Sequence, residues 1–225
     1  MTKDVPSSAA ALVTIAGVTW RRLLRGRALW VAFVIAALPL ILASLTRDLD
    51  PVAVVQTLVM CLLPPVFVAS AVGEEIEERT STYLWSRPLA RWTLLVGKLI
   101  ALAPVAVALI CIGWFLATKT IGADVSSRSM LAFAAGGFAI STVSAGIGTL
   151  VPRHGMALSI VYFVVLDLIV GAIPASVQNI SVTRQVRLLS GLDDPSAITE
   201  PAITMAVIAA VWLAIGLWRI RKLEA

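Results

Sequence analysis

Charged residues are scarce in this 225-residue sequence. Asp, Glu, Lys and Arg together make up 14% of the chain, whereas a soluble domain contains about a quarter. Hydrophobic residues account for 59%. The composition therefore excludes an ordinary soluble domain and predicts an integral membrane protein. The net charge of +5 does not by itself indicate nucleic-acid binding, because membrane proteins collect basic residues on their cytoplasmic loops.

Cysteine and histidine are also rare, with two cysteines and one histidine in the chain. Cys61 and Cys111 both lie in apolar runs, where we expect them to pack as small core residues rather than form a disulfide or bind a metal. His154 lies in a short polar turn beside Pro152 and Arg153. The sequence therefore offers no histidine at membrane depth for serine-protease chemistry, and no cluster of metal ligands.

A phosphate-binding loop is missing as well. The motif G-x-x-x-x-G-K-[ST] is approached most closely by Gly113 to Thr120, where Thr118 replaces the second glycine. Intramembrane aspartyl proteolysis needs two facing carboxylates, and Asp167 is the single acidic residue embedded in an apolar run. We therefore predict that the chain is not an enzyme, that it has no catalytic or metal-binding residues, and that it binds no cofactor of its own.

Long apolar segments make up most of the remaining chain. A helix of about 20 residues crosses the hydrocarbon core of a bilayer. Lys98 near the start of the third segment is expected to reach back to the headgroups, and Asp167 interrupts the fifth. We predict an all-α membrane protein forming a single transmembrane domain over residues 1–225, with spanning helices at 28–46, 52–72, 92–118, 129–152, 155–173 and 201–218.

The distribution of basic residues predicts the orientation of these spans. Six spans place both termini on the same side of the membrane. With the N-terminus inside, 13 of the 18 basic residues face the cytoplasm, and the others face outward: Arg47, Lys119, Arg128, Arg184 and Arg187. The positive-inside rule therefore predicts cytoplasmic termini. Residues 174–200 become the longest extracytoplasmic segment, which we expect to form short helices ending at a turn around Gly191.

A basic amphipathic segment precedes the first span. Residues 7–27 combine apolar stretches and Trp20 with four arginines: Arg21, Arg22, Arg25 and Arg27. This pattern favours a helix lying in the membrane interface, with its arginines toward phospholipid headgroups. The alternative is a basic flank that only fixes the orientation of the first span, and the pattern is compatible with both.

The polar stretch from Gly73 to Arg91 is the densest run of charge in the sequence. Glutamates at its start favour the positive end of a helix dipole, and Pro88 would end the helix. A common helical face would be formed by Ile76, Thr80, Tyr83, Leu84 and Arg87. We predict a short amphipathic cytoplasmic helix over residues 74–88, with a solvated loop as the alternative.

Two features inside the spans are candidates for a transport or a structural role. Pro64 and Pro65 are expected to kink the second span, directly upstream of the polar stretch. Asp167 is a candidate because an unpaired charge at membrane depth costs several kcal/mol. A hydrogen-bonded or ion-paired structural role is favoured over contact with a transported substrate.

The run from Glu77 to Arg91, followed by Gly97 and Lys98, resembles the first cytoplasmic loop of ABC-2-type exporter permeases. In that family an acidic helix leads into a threonine, several apolar positions, a Ser-Arg-Pro turn, a second basic residue and a Gly-Lys pair. The turn from Leu150 to Leu158 resembles the second cytoplasmic loop of the family. Arg79 departs from the pattern, because the family often has glycine there.

The resemblance implies a half-transporter in the cytoplasmic (inner) membrane of a bacterial-type cell. A second permease copy, or a related permease, would pair with this chain, and two copies of a separate ABC ATPase would hold ATP and Mg. The helix that docks on the ATPase, called the coupling helix below, would use Glu74, Glu75, Glu77, Glu78, Arg79, Thr80, Tyr83, Leu84, Trp85, Ser86, Arg87 and Pro88.

The alternatives are an ATP-independent secondary carrier and a membrane-embedded scaffold without transport. Carriers usually show paired broken helices or several buried ionisable groups, so the single embedded Asp167 gives a carrier little support. For an exporter, the apolar spans favour a hydrophobic or amphipathic cargo such as a drug, a peptide or a lipid.

Overall fold

The computed structural model describes residues 8–77, 92–173, 176–193, 196 and 198–222, and no strand occurs within these ranges. The α-helices are α1 (Ser8–Arg25), α2 (Ala28–Thr46), α3 (Leu49–Pro64), α4 (Ser70–Glu77), α5 (Trp92–Ile121), α6 (Ser127–Leu150), α7 (Gly155–Val161), α8 (Leu168–Ala172), α9 (Val182–Ser190) and α10 (Thr199–Lys222). Two π-helical turns (Pro65–Ala69 and Tyr162–Asp167) and two 3₁₀ turns (Pro152–His154 and Ser176–Ile180) lie between them.

Among the described residues, six helical segments are long and apolar enough to cross a membrane. Numbered as spans 1 to 6, they are Ala28–Thr46, Leu49–Glu74, Trp92–Ile121, Ser127–Leu150, Pro152–Ala172 and Thr199–Lys222. This confirms the prediction of an all-helical chain with six apolar helices. Helical folding satisfies the backbone hydrogen bonds within each segment, as the hydrocarbon environment requires.

Spans 2 and 4 form the centre of the bundle. In each of them 72% of the apolar window is buried, compared with 22% in spans 1 and 5 and 17% in span 6. Span 4 packs against spans 2, 3 and 6, and span 1 packs against spans 2 and 3. Large side chains such as Met60, Phe67, Phe133 and Phe163 fill the core. The outer spans therefore present most of their apolar surface to lipid or to another protein.

Short helices cover both ends of the central spans. At one end α1 packs against α5, with Ile15 close to Gly97. At the other end α9 packs against α6, and its buried Val186 contacts the backbone of span 4 at Gly136, beside Met60 of span 2. The 174–200 segment thus contains the expected short helices, and α9 ends at Gly191 in the left-handed conformation with φ of 79°.

The expectation for Lys98 is wrong. Instead of reaching toward headgroups, this side chain is only 2% exposed, and its Nζ donates a hydrogen bond to the Ala71 carbonyl of α4. A lysine can remain buried in an apolar bundle when its ammonium protons find acceptors. Lys98 therefore ties the start of α5 to α4.

Candidate functional site

The first candidate region is the end of span 2 that the sequence predicts to be cytoplasmic. After α3 the helix widens into the π-helical turn Pro65–Ala69 and continues without interruption into α4, which reaches Glu77. Glu74 is thus the last described side chain on a helix that begins inside the bundle. The acidic stretch therefore begins as a helical extension of span 2.

Most of the predicted coupling helix lies outside the described residues. This applies to Glu78, Arg79, Thr80, Tyr83, Leu84, Trp85, Ser86, Arg87 and Pro88, while Glu75 and Glu77 are described by their backbone alone. The docking role of this set stays a prediction. The structure describes its first turn and the contacts that hold α4 in place.

One of these contacts joins α4 to α1. An Nη2 proton of Arg22 is donated to Oε2 of Glu74 over 2.9 Å. The two side chains are 63% and 49% exposed, so this ion pair contributes about 1 kcal/mol or less to stability. The ion pair therefore adds little stability, but it links the predicted interfacial helix α1 to the first turn of the predicted coupling helix.

A second contact joins α4 to the turn between spans 4 and 5. A Cβ atom built on Gly73 would overlap the carbonyl oxygen of Pro152. One turn earlier, the Ala69 carbonyl oxygen lies 3.2 Å from the Cβ position of Gly148 in span 4. Only glycine allows such a close backbone approach. Span 2 is therefore packed backbone to backbone against the turn that connects spans 4 and 5.

The second candidate region is the buried carboxylate of Asp167, which is 3% exposed. Its Oδ1 accepts the Val182 N–H over 2.9 Å, and its Oδ2 accepts the Thr183 N–H over 2.9 Å. The hydroxyls of Thr183 and Ser181 donate to Oδ2 over 2.6 and 3.1 Å. These N–H groups belong to the first turn of α9, where no intrahelical acceptor exists.

The carboxylate of Asp167 also lies at the positive end of the α9 dipole, where negative charge is favourable. Asp167 is the last residue of the second π-helical turn, Tyr162–Asp167, and π turns are frequent at functional sites. The first π turn follows Pro64 and includes Pro65. Both proline residues and Asp167 thus lie at irregular turns in spans 2 and 5.

The opposite end of α9 is held by Arg128 of span 4. Its Nε donates to the Leu189 carbonyl over 2.6 Å and its Nη2 to the Leu188 carbonyl over 3.1 Å. The Leu188 carbonyl also accepts the Gly191 N–H. Carbonyls at the end of a helix lack the usual intrahelical donor, and a cation there complements the dipole. We call this arrangement, with Asp167 at one end of α9 and Arg128 at the other, the α9 clamp.

Sequence reasoning singled out Asp167 but missed Arg128, Ser181 and Thr183. The Ser181-Val182-Thr183 sequence is a recognisable helix start, since Ser181 accepts the Arg184 N–H as an N-cap. No local sequence pattern marks Arg128, because the carbonyls that it binds are about 60 residues away in the chain. Among the described residues, no group of three or more His, Cys, Asp or Glu side chains could hold a metal ion.

Comparison with known families agrees with this geometry. A family profile described as ABC-2 family transporter protein matches residues 51–190, which extend from the start of span 2 to the end of α9 and cover more than half of the chain. Comparison with curated protein sequences gives no match. The family consists of the membrane, or permease, components of ABC transporters. This chain therefore belongs to the ABC-2 transporter family and is a multi-pass permease component.

Proposed function

We propose that this permease is the membrane subunit of an ATP-driven exporter. It pairs with a second permease copy or a related permease and binds a separate ABC ATPase, which holds and hydrolyses ATP with Mg. The observation that carries the proposal is the uninterrupted helix from span 2 into the acidic stretch, with Glu74 on its last described turn. Such a helix transmits a push more directly than a solvated loop.

The contacts of α4 define a path for that push. A displacement of α4 moves span 2, and the close approach of Gly73 to Pro152 passes it to the turn between spans 4 and 5. Closely packed backbones cannot absorb the movement by side-chain rearrangement. Span 5 ends its π turn at Asp167, whose carboxylate holds α9. In this proposal the ATPase cycle displaces spans 2 and 5, and their displacement moves α9.

The pathway lies between two permeases, because the centre of a single bundle is filled. Met60, Phe67, Phe133 and Phe163 are each at most 2% exposed, which leaves no channel along the described core. The exposed apolar face of span 5, with Val161, Val165 and Ile169 about half exposed, is available to a partner. An apolar lining favours a drug, a peptide or a lipid as cargo.

Orientation follows the positive-inside rule, with both termini and the coupling helix in the cytoplasm of a bacterial-type cell. Basic residues in the last turns of α10 and α1 support this orientation: Arg219, Arg221, Lys222, Arg22 and Arg25. The residues from Tyr83 to Trp85 would then anchor in a groove of the ATPase, since aromatic side chains often dominate interfaces.

Co-purification tests the proposal. The full-length chain is solubilised with its cognate ATPase subunit, and retention of the ATPase is compared with that of the variant Glu77→Lys/Glu78→Lys. The control Asp124→Lys/Glu200→Lys makes the same charge change on residues predicted to face outward. We expect the ATPase to be retained by the wild type and by the control but lost from the Glu77/Glu78 variant. A folded permease that runs alone and moves cargo on an ion gradient contradicts the proposal.

A further inference from the structure

A cavity of about 250 Å³ lies between α1 and the cytoplasmic ends of spans 2 and 3. Its polar lining comprises Thr19, Arg22, Arg27, Ser70, Glu74 and the buried Lys98. Drug-sized sites begin at about 300 Å³, so the cavity suits a small group better than a bulky cargo. Neither the transport pathway nor the α9 clamp uses it.

The charges around this cavity are unbalanced. Two arginines, Arg22 and Arg27, face it together with one described carboxylate, that of Glu74. The ammonium of Lys98, which also lines the cavity, donates to the Ala71 carbonyl. The Arg22 guanidinium has five N–H donors, and its bond to Glu74 uses Nη2. Within the described part of the chain the Arg27 side chain takes part in no ion pair. The polar lining therefore complements a group that carries negative charge and several acceptor oxygens.

The walls behind the polar lining are apolar. Leu23 of α1, Phe67 of the first π turn and Leu102 of α5 line the interior. A freely dissolved anion gains no binding energy from apolar walls, whereas a phospholipid can pack its glycerol and upper acyl chains against them. The cavity lies beside the start of span 1 at Ala28, and the end of an apolar span is where headgroups are expected.

We propose that this cavity is a binding site for the phosphate-bearing headgroup of an anionic phospholipid. Arg22 and Arg27 bind the phosphate oxygens, and the apolar walls hold the adjoining part of the lipid. The site differs from general attraction of a basic helix to a membrane, because Arg21 and Arg25 of the same region do not line it. The proposal depends neither on the ATPase partner nor on export.

Native mass spectrometry of the detergent-solubilised full-length chain tests this site. Phosphatidylglycerol and phosphatidylcholine are added in turn, and the retained lipid is counted for the wild type, for Arg22→Gln/Arg27→Gln, and for the control Arg21→Gln/Arg25→Gln. Both double variants remove the same charge from the same helical region. A basic residue near an anionic lipid surface contributes about fivefold to binding. We expect the Arg22/Arg27 variant to lose about tenfold or more of its phosphatidylglycerol binding and the control to keep most of it.

Equal losses in the two variants overturn the proposal, since they indicate general attraction by surface charge. A wild type that binds phosphatidylcholine as well as phosphatidylglycerol also overturns it. Inorganic phosphate, added at millimolar concentration, distinguishes a soluble anion from a lipid: displacement of phosphatidylglycerol by phosphate alone contradicts a lipid site. If the double variant does not fold, the single variant Arg27→Gln decides, because it removes no described ion pair. A loss of about fivefold supports the site, and unchanged binding overturns it.

Discussion

The two ends of this bundle hold their short helices by different physical means. On the predicted cytoplasmic side, α4 continues span 2 and rests on backbone packing at Gly73 and on the exposed Arg22–Glu74 pair. On the predicted outer side, α9 is a separate helix held at each end by a buried or half-buried charge. Backbone continuity suits an element that must transmit displacement. A polar clamp suits a separate helix that must follow the two spans that supply its charges.

The contacts at the two ends also differ in the free energy that is lost when they break. Water can solvate Arg22 and Glu74 when their contact breaks, so the contact costs little to lose. The four donors around the Asp167 carboxylate are buried, and each donor left without an acceptor costs about 1–3 kcal/mol.

Replacing Asp167 by alanine should destabilise the outer end most strongly. The Val182 and Thr183 N–H groups and two hydroxyls would lose their acceptor, at a cost of about 3 kcal/mol or more in unfolding free energy. Thermal unfolding in detergent measures the loss, and hydrogen exchange should rise at residues 182–190. The control Asp124→Ala, at an exposed outer position, should change neither. An Asp167→Asn protein that assembles and transports normally would remove the carboxylate from the mechanism.

Replacing Gly73 by alanine should disturb the packing between α4 and the Pro152 turn. The added methyl group has no room beside the Pro152 carbonyl, so the backbones must separate at a cost of about 1–3 kcal/mol. We expect the Gly73→Ala permease to unfold at a lower temperature. In complex with its ATPase subunit, we expect cargo to stimulate ATP hydrolysis less than it does with the wild type. Gly17→Ala in α1 is the matched control, because nothing lies within 4 Å of the new methyl group there. Identical behaviour of the two variants would show that the contact is unimportant.

Replacing Arg128 by glutamine should loosen the far end of α9. Two hydrogen bonds to the Leu188 and Leu189 carbonyls and the favourable charge at the helix end are lost, which predicts about 1–2 kcal/mol of destabilisation. Hydrogen exchange should rise at the last turn of α9 more than at its first. Lys119→Gln, an exposed residue near the same end of the bundle, provides the comparison. Uniform exchange along α9 would argue against two independent anchor points.

Replacing Arg22 by glutamine should have the smallest effect on stability. Both side chains of the ion pair with Glu74 are exposed. The free energy of unfolding should therefore fall by less than about 1 kcal/mol, and the thermal midpoint should shift only slightly. A loss as large as that at Asp167 would mean that the pair is shielded in the assembled transporter. Comparing the isolated permease with its ATPase complex separates these two cases.

The sequence alone determined the class of the protein, the six spans and the resemblance of the first cytoplasmic loop to ABC-2 permeases. These properties are local: an apolar segment of about 20 residues favours a membrane wherever it occurs, and a loop motif is read in order along the chain. The acidic Asp167 also stood out locally, because a charge within an apolar run is conspicuous.

Only the tertiary structure decided what the isolated charges touch. Lys98 was expected at the headgroups and lies buried against Ala71, Asp167 binds the first turn of α9, and Arg128 binds its last turn. The partners are 14 to 61 residues distant in the chain. A buried polar group must find a partner at membrane depth, but the identity of that partner depends on which helices pack together.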